Sequence, residues 1–228
     1  MENQFSLPRH LGIILDGNRR WAKANNLPAL EGHKKGFEAV KSIVQAVKEK
    51  GIKTLTLFCF STENWSRPKE EVNYLMDIFK KSLSDYFLEF GKENVRIKII
   101  GQKNLFSKDI QSRMEEVERQ TQDNNRMTLN LALSYGGRAE IVDAIKKIVK
   151  SGIDPDKITE ATVKENLWTS DVDLIIRTGG EQRLSGFLLW QAAYSEFLFV
   201  KKYWPEFSQS DLDAALDDYA SRQRRFGK

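Results

Sequence analysis

The chain has 228 residues, 40% hydrophobic and 30% charged, with a formal charge of +4 and a pI near 9.0; this is the make-up of one soluble globular domain, not of a disordered, fibrous or membrane-embedded chain. A lone cysteine, Cys59, excludes an intramolecular disulfide, and no segment reaches the ~18 apolar residues of a membrane span. The first ten residues lack an apolar signal core, so a cytoplasmic location is expected; the mild basicity admits an anionic partner, but no basic run is long enough for a nucleic-acid arm, and no nucleic acid is expected.

Leu11 to Leu15 reads as a first strand, followed at once by Asp16, Gly17, Asn18, Arg19, Arg20 and Trp21. Asn25-Asn26-Leu27-Pro28 breaks any helix there. From His33 to Lys50, Phe37, Val40, Ile43, Val44 and Val47 recur at helical spacing, and Gly51 is a natural stop. Ile52 to Phe60 is a second strand, ending in the polar loop Ser61-Thr62-Glu63-Asn64-Trp65-Ser66-Arg67-Pro68. A helix is predicted from about Lys69 to Phe90, a strand over Val95 to Ile100, an amphipathic helix over Ser107 to Asp123 and a fourth strand over Thr128 to Leu133. Ala139 to Lys150 reads as a helix and Thr162 to Trp168 as a short helical piece. Asp173 to Ile176 is a fifth strand leading into Arg177-Thr178-Gly179-Gly180, Phe187 to Ser195 a further helical candidate, Phe197 to Val200 a sixth strand and Ser208 to Arg225 a closing helix. This alternation predicts one α/β domain over residues 1–228, with a mostly parallel six-stranded sheet flanked by helices.

Parallel strands deliver their ends to one rim, where ligands collect in open α/β sheets. Asp16, Arg19 and Arg20 follow the first strand, Asn64, Trp65 and Arg67 the second, Tyr135 to Arg138 the fourth, and Arg177 and Arg183 the fifth. Guanidinium groups gathered on one edge repel unless an anion lies among them, and their forked donors suit phosphate oxygens. A carboxylate there, Asp16, is placed to hold a metal ion. The pattern points to a polyphosphate ligand. Phosphate-loop, dinucleotide-binding, serine-elbow and zinc signatures are all missing. Taken singly, His10, His33, Asn64, Trp65, Cys59 and Arg225 each have an ordinary structural reading as packing, turn, core or helix-end residues.

The runs His10 to Ala22, Gly32-His33, Phe60 to Pro68, Tyr135 to Arg138, Asp173 to Glu181, Leu188 to Gln191, Tyr194 to Glu196 and Arg224 to Gly227 resemble, in order along nearly the whole chain, those of the cis-prenyltransferases, the bacterial undecaprenyl diphosphate synthases above all. The resemblance implies a magnesium-dependent homodimer that adds isopentenyl diphosphate to an allylic diphosphate primer, usually farnesyl diphosphate. The product would be a cis-polyprenyl diphosphate, undecaprenyl diphosphate, the lipid carrier of cell-wall synthesis, and its release implies transient membrane-surface contact. By resemblance, Asp16 holds magnesium and helps the allylic diphosphate leave, and Asn64 accepts a proton. Gly17, Asn18, Arg19 and Arg20 bind that diphosphate. Trp21, His33, Ser61, Thr62, Glu63, Trp65 and Arg67 line the substrate sites. Arg177, Arg183 and Ser185, with Leu184 between them, grip isopentenyl diphosphate. Glu196 is a second metal-associated carboxylate near the dimer interface, and Arg225-Phe226-Gly227 reaches the partner's site. A hydrophobic tunnel for the growing chain is expected along the Lys69 to Phe90 helix and Leu55, Leu57 and Cys59. Ala29, Gln182 and Gly186 depart from the family pattern, where arginine, histidine and asparagine are common; Ala29 removes one expected diphosphate contact. Two rivals are a synthase of a shorter or different chain and a non-catalytic partner subunit. The second is disfavoured by the retention of Asp16, Arg19, Arg20 and Asn64.

Overall fold

A computed structural model describes residues 7–222. Its strands are β1 (His10–Ile14), β2 (Thr54–Ser61), β3 (Val95–Ile100), β4 (Met127–Tyr135), β5 (Leu174–Arg177) and β6 (Glu196–Phe199). They form one sheet in the order β3-β4-β2-β1-β5-β6, with every pairing parallel. The helices are α1 (Asn18–Ala24), α2 (Ala29–Glu49), α3 (Lys69–Lys92), α4 (Lys108–Thr121), α5 (Gly137–Lys150), α6 (Glu160–Asn166) and α7 (Gln209–Ser221).

Side-chain alternation along the strands divides the core between the two faces of the sheet. Leu11, Ile13, Leu55, Leu57, Ile97, Leu129 and Leu131 face one way and meet Val40, Ile43, Val44 and Val47 of α2 and Leu75, Leu83 and Phe87 of α3. Ile14, Phe58, Ile100, Ala132 and Ile175 face the other way, under Phe187 and Leu188. The α2 residues recur at i, i+3, i+4 and i+7 and are at most 5% exposed; burying each such side chain stabilises the fold by about 1.5–3 kcal/mol.

The elements differ from the sequence expectation at three places. α1 is a helix before the Asn25–Pro28 break, where the sequence carries no helical period, and α2 starts at Ala29, ahead of the expected His33, because Pro28 takes the N-cap. Residues 187–195 are turns, not a helix: Ser185, Gly186 and Leu188 have φ of 50°, 83° and 45°, which a right-handed helix cannot accommodate. The last helix ends at Ser221, and Arg225-Phe226-Gly227 lies outside the described residues.

Strand register carries the loops to a common edge. Ile14 pairs with Phe58 and Arg177, and Ser61 pairs with Tyr135. The β2–β4 ladder slips between Phe58 and Phe60, an irregularity that bends β2 next to the rim and re-aims the loop beginning at Ser61.

Candidate active site

Beyond the carboxyl ends of β1, β2 and β5 lies a cavity of about 770 Å³. Asp16, Gly17, Asn18, Arg19 and Arg20 line it from the β1–α1 turn, His33 from α2, Ser61, Asn64 and Arg67 from the loop after β2, and Arg177 and Ser185 from β5 and its loop. The sequence pattern therefore brings eleven of its candidate residues to one wall-to-wall site.

The turn after β1 is tight because Gly17 has φ 114°, and a Cβ there would lie 2.7–3.0 Å from Tyr203 atoms; only glycine fits. It aims Asp16 at two guanidinium groups: Arg20 at 3.0 Å on Oδ1 and Arg177 at 2.9 Å on Oδ2. The Thr178 hydroxyl and the Trp204 amide both donate to the Asp16 carbonyl, at 2.7 and 3.0 Å, fixing the turn from behind. Arg177 is buried and also donates to Ser185 Oγ at 2.9 Å and to the Arg183 carbonyl. Arg20 reaches Glu181 at 3.3 Å as well.

A second carboxylate, Glu71, gathers the opposite wall. It takes His33 Nε2 and Arg67 Nη1 at 3.0 Å each on Oε1, and Arg19 Nε lies 3.7 Å from Oε2. Burial pushes His33 below the usual histidine range, partly offset by the Glu71 hydrogen bond, and burial also lowers Arg67. Glu71 was not singled out from the sequence; the signal available was its i+4 spacing from Arg67.

The other candidates, Asn64 apart, stand outside the cavity wall. Trp65 packs edge-on against Phe60 and Phe106, with centroids at 5.0 and 5.3 Å, and its Nε1 donates to Ser134 Oγ at 2.9 Å; its ordinary loop-packing reading describes its place. Trp21 donates to Glu206 at 3.1 Å. Thr62 lies under Gly136. Glu63 is held below the usual carboxylate range, burial working upward but hydrogen bonds from its own backbone and from Ser61 and Thr62 outweighing it. Arg183 is exposed and paired with Glu181, and Leu184 packs on the second-face core. Glu196 opens β6, opposite Leu174 in register, so it lies at the far end of the sheet from Arg177 and is paired with Arg222 at 2.8 Å. Asn64 lines the cavity and is also a turn residue: its Oδ1 accepts from the Ser61 amide at 3.0 Å. His10 is structural, bridging Thr56 Oγ1 at 2.7 Å and the Asp171 carbonyl at 2.9 Å.

A smaller apolar pocket of about 80 Å³ continues from the polar cavity, sharing Leu15, His33, Cys59 and Leu75 with it. Phe79, Leu83 and Phe87 of α3, Phe37 and Val40 of α2, and Leu131 and Leu133 of β4 line it. The expected tunnel is thus present as a short pocket with a corrected wall. Leu55 and Leu57 do not line it, because they sit deeper along β2 and are 0% exposed in the core. Burial pushes the Cys59 thiol up to about 12, so it lines the pocket as an inert group. Gly186, with φ 83° and open space around a Cβ, occupies a left-handed position that asparagine also tolerates, which accounts for that departure. Ala29 lines the polar cavity, with no guanidinium at its place.

Residues 14–227 match the Prenyltransf family, whose description reads "Putative undecaprenyl diphosphate synthase". An isoprenyl transferase of Thermotoga maritima is 48% identical over 226 residues, 97% of each chain. A ditrans,polycis-undecaprenyl-diphosphate synthase of Pseudomonas putida, described as specific for (2E,6E)-farnesyl diphosphate, is 45% identical over 230 residues, 98% of this chain and 92% of that one. Among solved structures, lavandulyl diphosphate synthase from Lavandula x intermedia, in complex with dimethylallyl diphosphate, superposes with TM-score 0.94 at 39% identity over 97% of this chain and 99% of that one. A Campylobacter jejuni protein described as a probable undecaprenyl diphosphate synthase gives TM-score 0.84 at 32% identity over 98% of this chain and 99% of that one.

Proposed function

Because the chain belongs to the undecaprenyl diphosphate synthase family of prenyltransferases, we propose that it condenses isopentenyl diphosphate with farnesyl diphosphate, adding units in the cis configuration until it releases undecaprenyl diphosphate. One observation carries this reading: a cavity walled by arginines from the start of α1, the loop before α3 and the end of β5 opens directly onto an apolar pocket. A diphosphate belongs in the first and a prenyl tail in the second.

Departure of an allylic diphosphate leaves negative charge on oxygen and positive charge on carbon. Arg19, Arg20 and Arg67 stabilise the oxygen side on the primer, and Arg177 and Ser185 hold the diphosphate of the incoming unit. The alkene of that unit attacks the allylic carbon, and its C2 proton must leave. Asn64 is the proposed first acceptor; an amide is a weak base, so the proton passes on to a diphosphate oxygen.

Magnesium fits Asp16. The carboxylate lines the cavity and is partly solvated, and magnesium is commonly bound by one or two carboxylates plus substrate phosphates and waters. Among the described residues no cluster of three acidic, histidine or cysteine side chains could hold a metal alone, which suits an ion brought in with the diphosphate. When bound, the ion would neutralise the leaving oxygens. Glu196 lies at the other end of the sheet from Asp16, so a metal role for it requires a second copy of the chain. A homodimer is supported by the exposed edge of β6, where Phe197 and Phe199 stack at 6.2 Å and are only half-buried. Release of so apolar a product calls for transient contact with a membrane surface, and no helix among the described residues is long and apolar enough to cross one.

The test is incubation with farnesyl diphosphate, labelled isopentenyl diphosphate and magnesium, followed by sizing of the product. A ladder ending near eleven isoprene units is expected, and no incorporation overturns the proposal. The roughly 80 Å³ of the apolar pocket favours a second reading, a synthase of shorter chains, which the same gel separates.

A further inference from the structure

The Glu71 carboxylate is one of the few charged groups among the described residues that are buried, at 6% exposure, yet takes no place on the cavity wall. It lies behind three groups that do: Arg19 from α1, His33 from α2 and Arg67 from the loop before α3. A carboxylate taken out of water is tolerated only where partners compensate it, and here all its compensation comes from the cavity's own cationic and hydrogen-bonding groups. Helix electrostatics do not account for its direction. Glu71 and Glu70 both stand in the first turn of α3, where negative charge is favoured, but exposed Glu70 supplies that charge while Glu71 turns inward.

Resting on the functional reading above, we infer that Glu71 is a positioning residue for the primer half of the site. From behind, it fixes the rotamers of Arg19, His33 and Arg67 so that their remaining donors face the allylic diphosphate. A guanidinium carries five N–H donors, so Arg67 can hold Glu71 through Nη1 and keep others for a phosphate. The group that holds isopentenyl diphosphate is organised separately: Asp16 and Ser185 hold Arg177, while the primer-side Arg20 is held by Asp16 and Glu181, and no hydrogen bond or ion pair joins Arg177, Asp16 or Arg20 to Glu71 among the described residues. The inference therefore carries a sidedness: disturbing Glu71 weakens capture of the primer and leaves capture of isopentenyl diphosphate alone.

Steady-state kinetics of Glu71→Gln, which keeps the size and an acceptor but removes the charge, test this. The KM for farnesyl diphosphate should rise about tenfold, with kcat and the KM for isopentenyl diphosphate each within about twofold of the parent. Glu71→Asp, which keeps the charge, should recover at least half of that loss. Equal rises for both substrates, no rise for either, or identical behaviour of the two variants would overturn the assignment, since a purely structural role predicts damage without sidedness. If the glutamine variant does not fold, the aspartate variant decides alone, by a primer-selective rise of about two- to threefold. If the parent incorporates no isopentenyl diphosphate, the functional reading fails by itself. Calorimetric titration with inorganic pyrophosphate then tests Glu71 directly: binding about fivefold weaker in the variant supports it, and equal binding overturns it.

Discussion

Asp16 sits between two guanidinium groups at 2.9 and 3.0 Å, and this pairing makes it the hinge of the proposed chemistry. Asp16→Ala should lower turnover at least a hundredfold with the fold retained, because it removes both the proposed metal carboxylate and the partner that orients Arg177. Asp16→Asn keeps an acceptor for Arg177 and should lose nearly as much turnover; activity near the parent's in either variant, measured with saturating magnesium, would remove Asp16 from the mechanism. Ala29 offers the opposite experiment. It lines the cavity without a charge, so Ala29→Arg should lower the primer KM several-fold; no change in primer affinity would mean that Arg19, Arg20 and Arg67 already saturate that diphosphate. At this scale the residues that adjoin strand ends were legible, since Asp16 to Arg20 and Arg177 follow directly from where β1 and β5 stop. Glu71 was not, because its role depends on α1, α2 and α3 meeting; for Trp65 a packing role was legible but its partners Phe60 and Phe106 were not.

The elements of the site owe their closeness to small residues. α1 lies directly against α2, and a Cβ on Gly32 would come 2.1 Å from the Asn18 carbonyl oxygen, an unyielding backbone atom. Gly32→Ala should therefore cost about 1–3 kcal/mol, seen as a lower urea midpoint, and should raise the primer KM as the start of α1 is pushed off its seat; an unchanged midpoint would mean that α1 floats on α2. Strand and long-helix positions could be read from hydrophobic period alone, as with Val40, Ile43, Val44 and Val47 in α2. The short elements could not. α1 has seven residues and only one buried side chain, too little for a period, and 187–195 carries apolar residues that fill the second-face core from turns, not from a helical stripe. The apolar pocket shows the same limit: α3 was placed on its wall correctly, but Leu55 and Leu57 share the strand face of Cys59 and differ from it only in depth.

Over the whole molecule, an all-parallel sheet makes one rim the only place where loops from β1, β2 and β5 can meet, so fold and site have a single cause. Both histidines of the chain are buried, His10 on β1 and His33 on α2. Burial lowers His10 and His33 below 6.5, against opposing hydrogen bonds from Asp171 and Glu71. Below pH 6.5 the unfolded chain takes up protons that the folded chain refuses. The stabilisation is therefore complete above pH 6.5 and is lost as pH falls through the lowered folded values, by at most about 1.4 kcal/mol per pH unit for each histidine. Burial raises the Glu140 carboxyl, which acts in the opposite sense from pH 4.5 upward, so the comparison must be differential. Urea unfolding between pH 7.5 and 5.5 should show a steeper loss in the parent than in His33→Gln; equal slopes would contradict a buried neutral His33. The central claim is that one diphosphate sits among Asp16, Arg19, Arg20 and Arg67 with its tail in the pocket beneath α3. A crystal structure of the chain with magnesium and farnesyl thiodiphosphate, an analogue whose leaving group departs slowly, tests it most directly. The account predicts the diphosphate against those four side chains and the farnesyl tail running between Phe37, Leu75 and Phe87; a diphosphate bound elsewhere, or a tail directed away from α3, would contradict it.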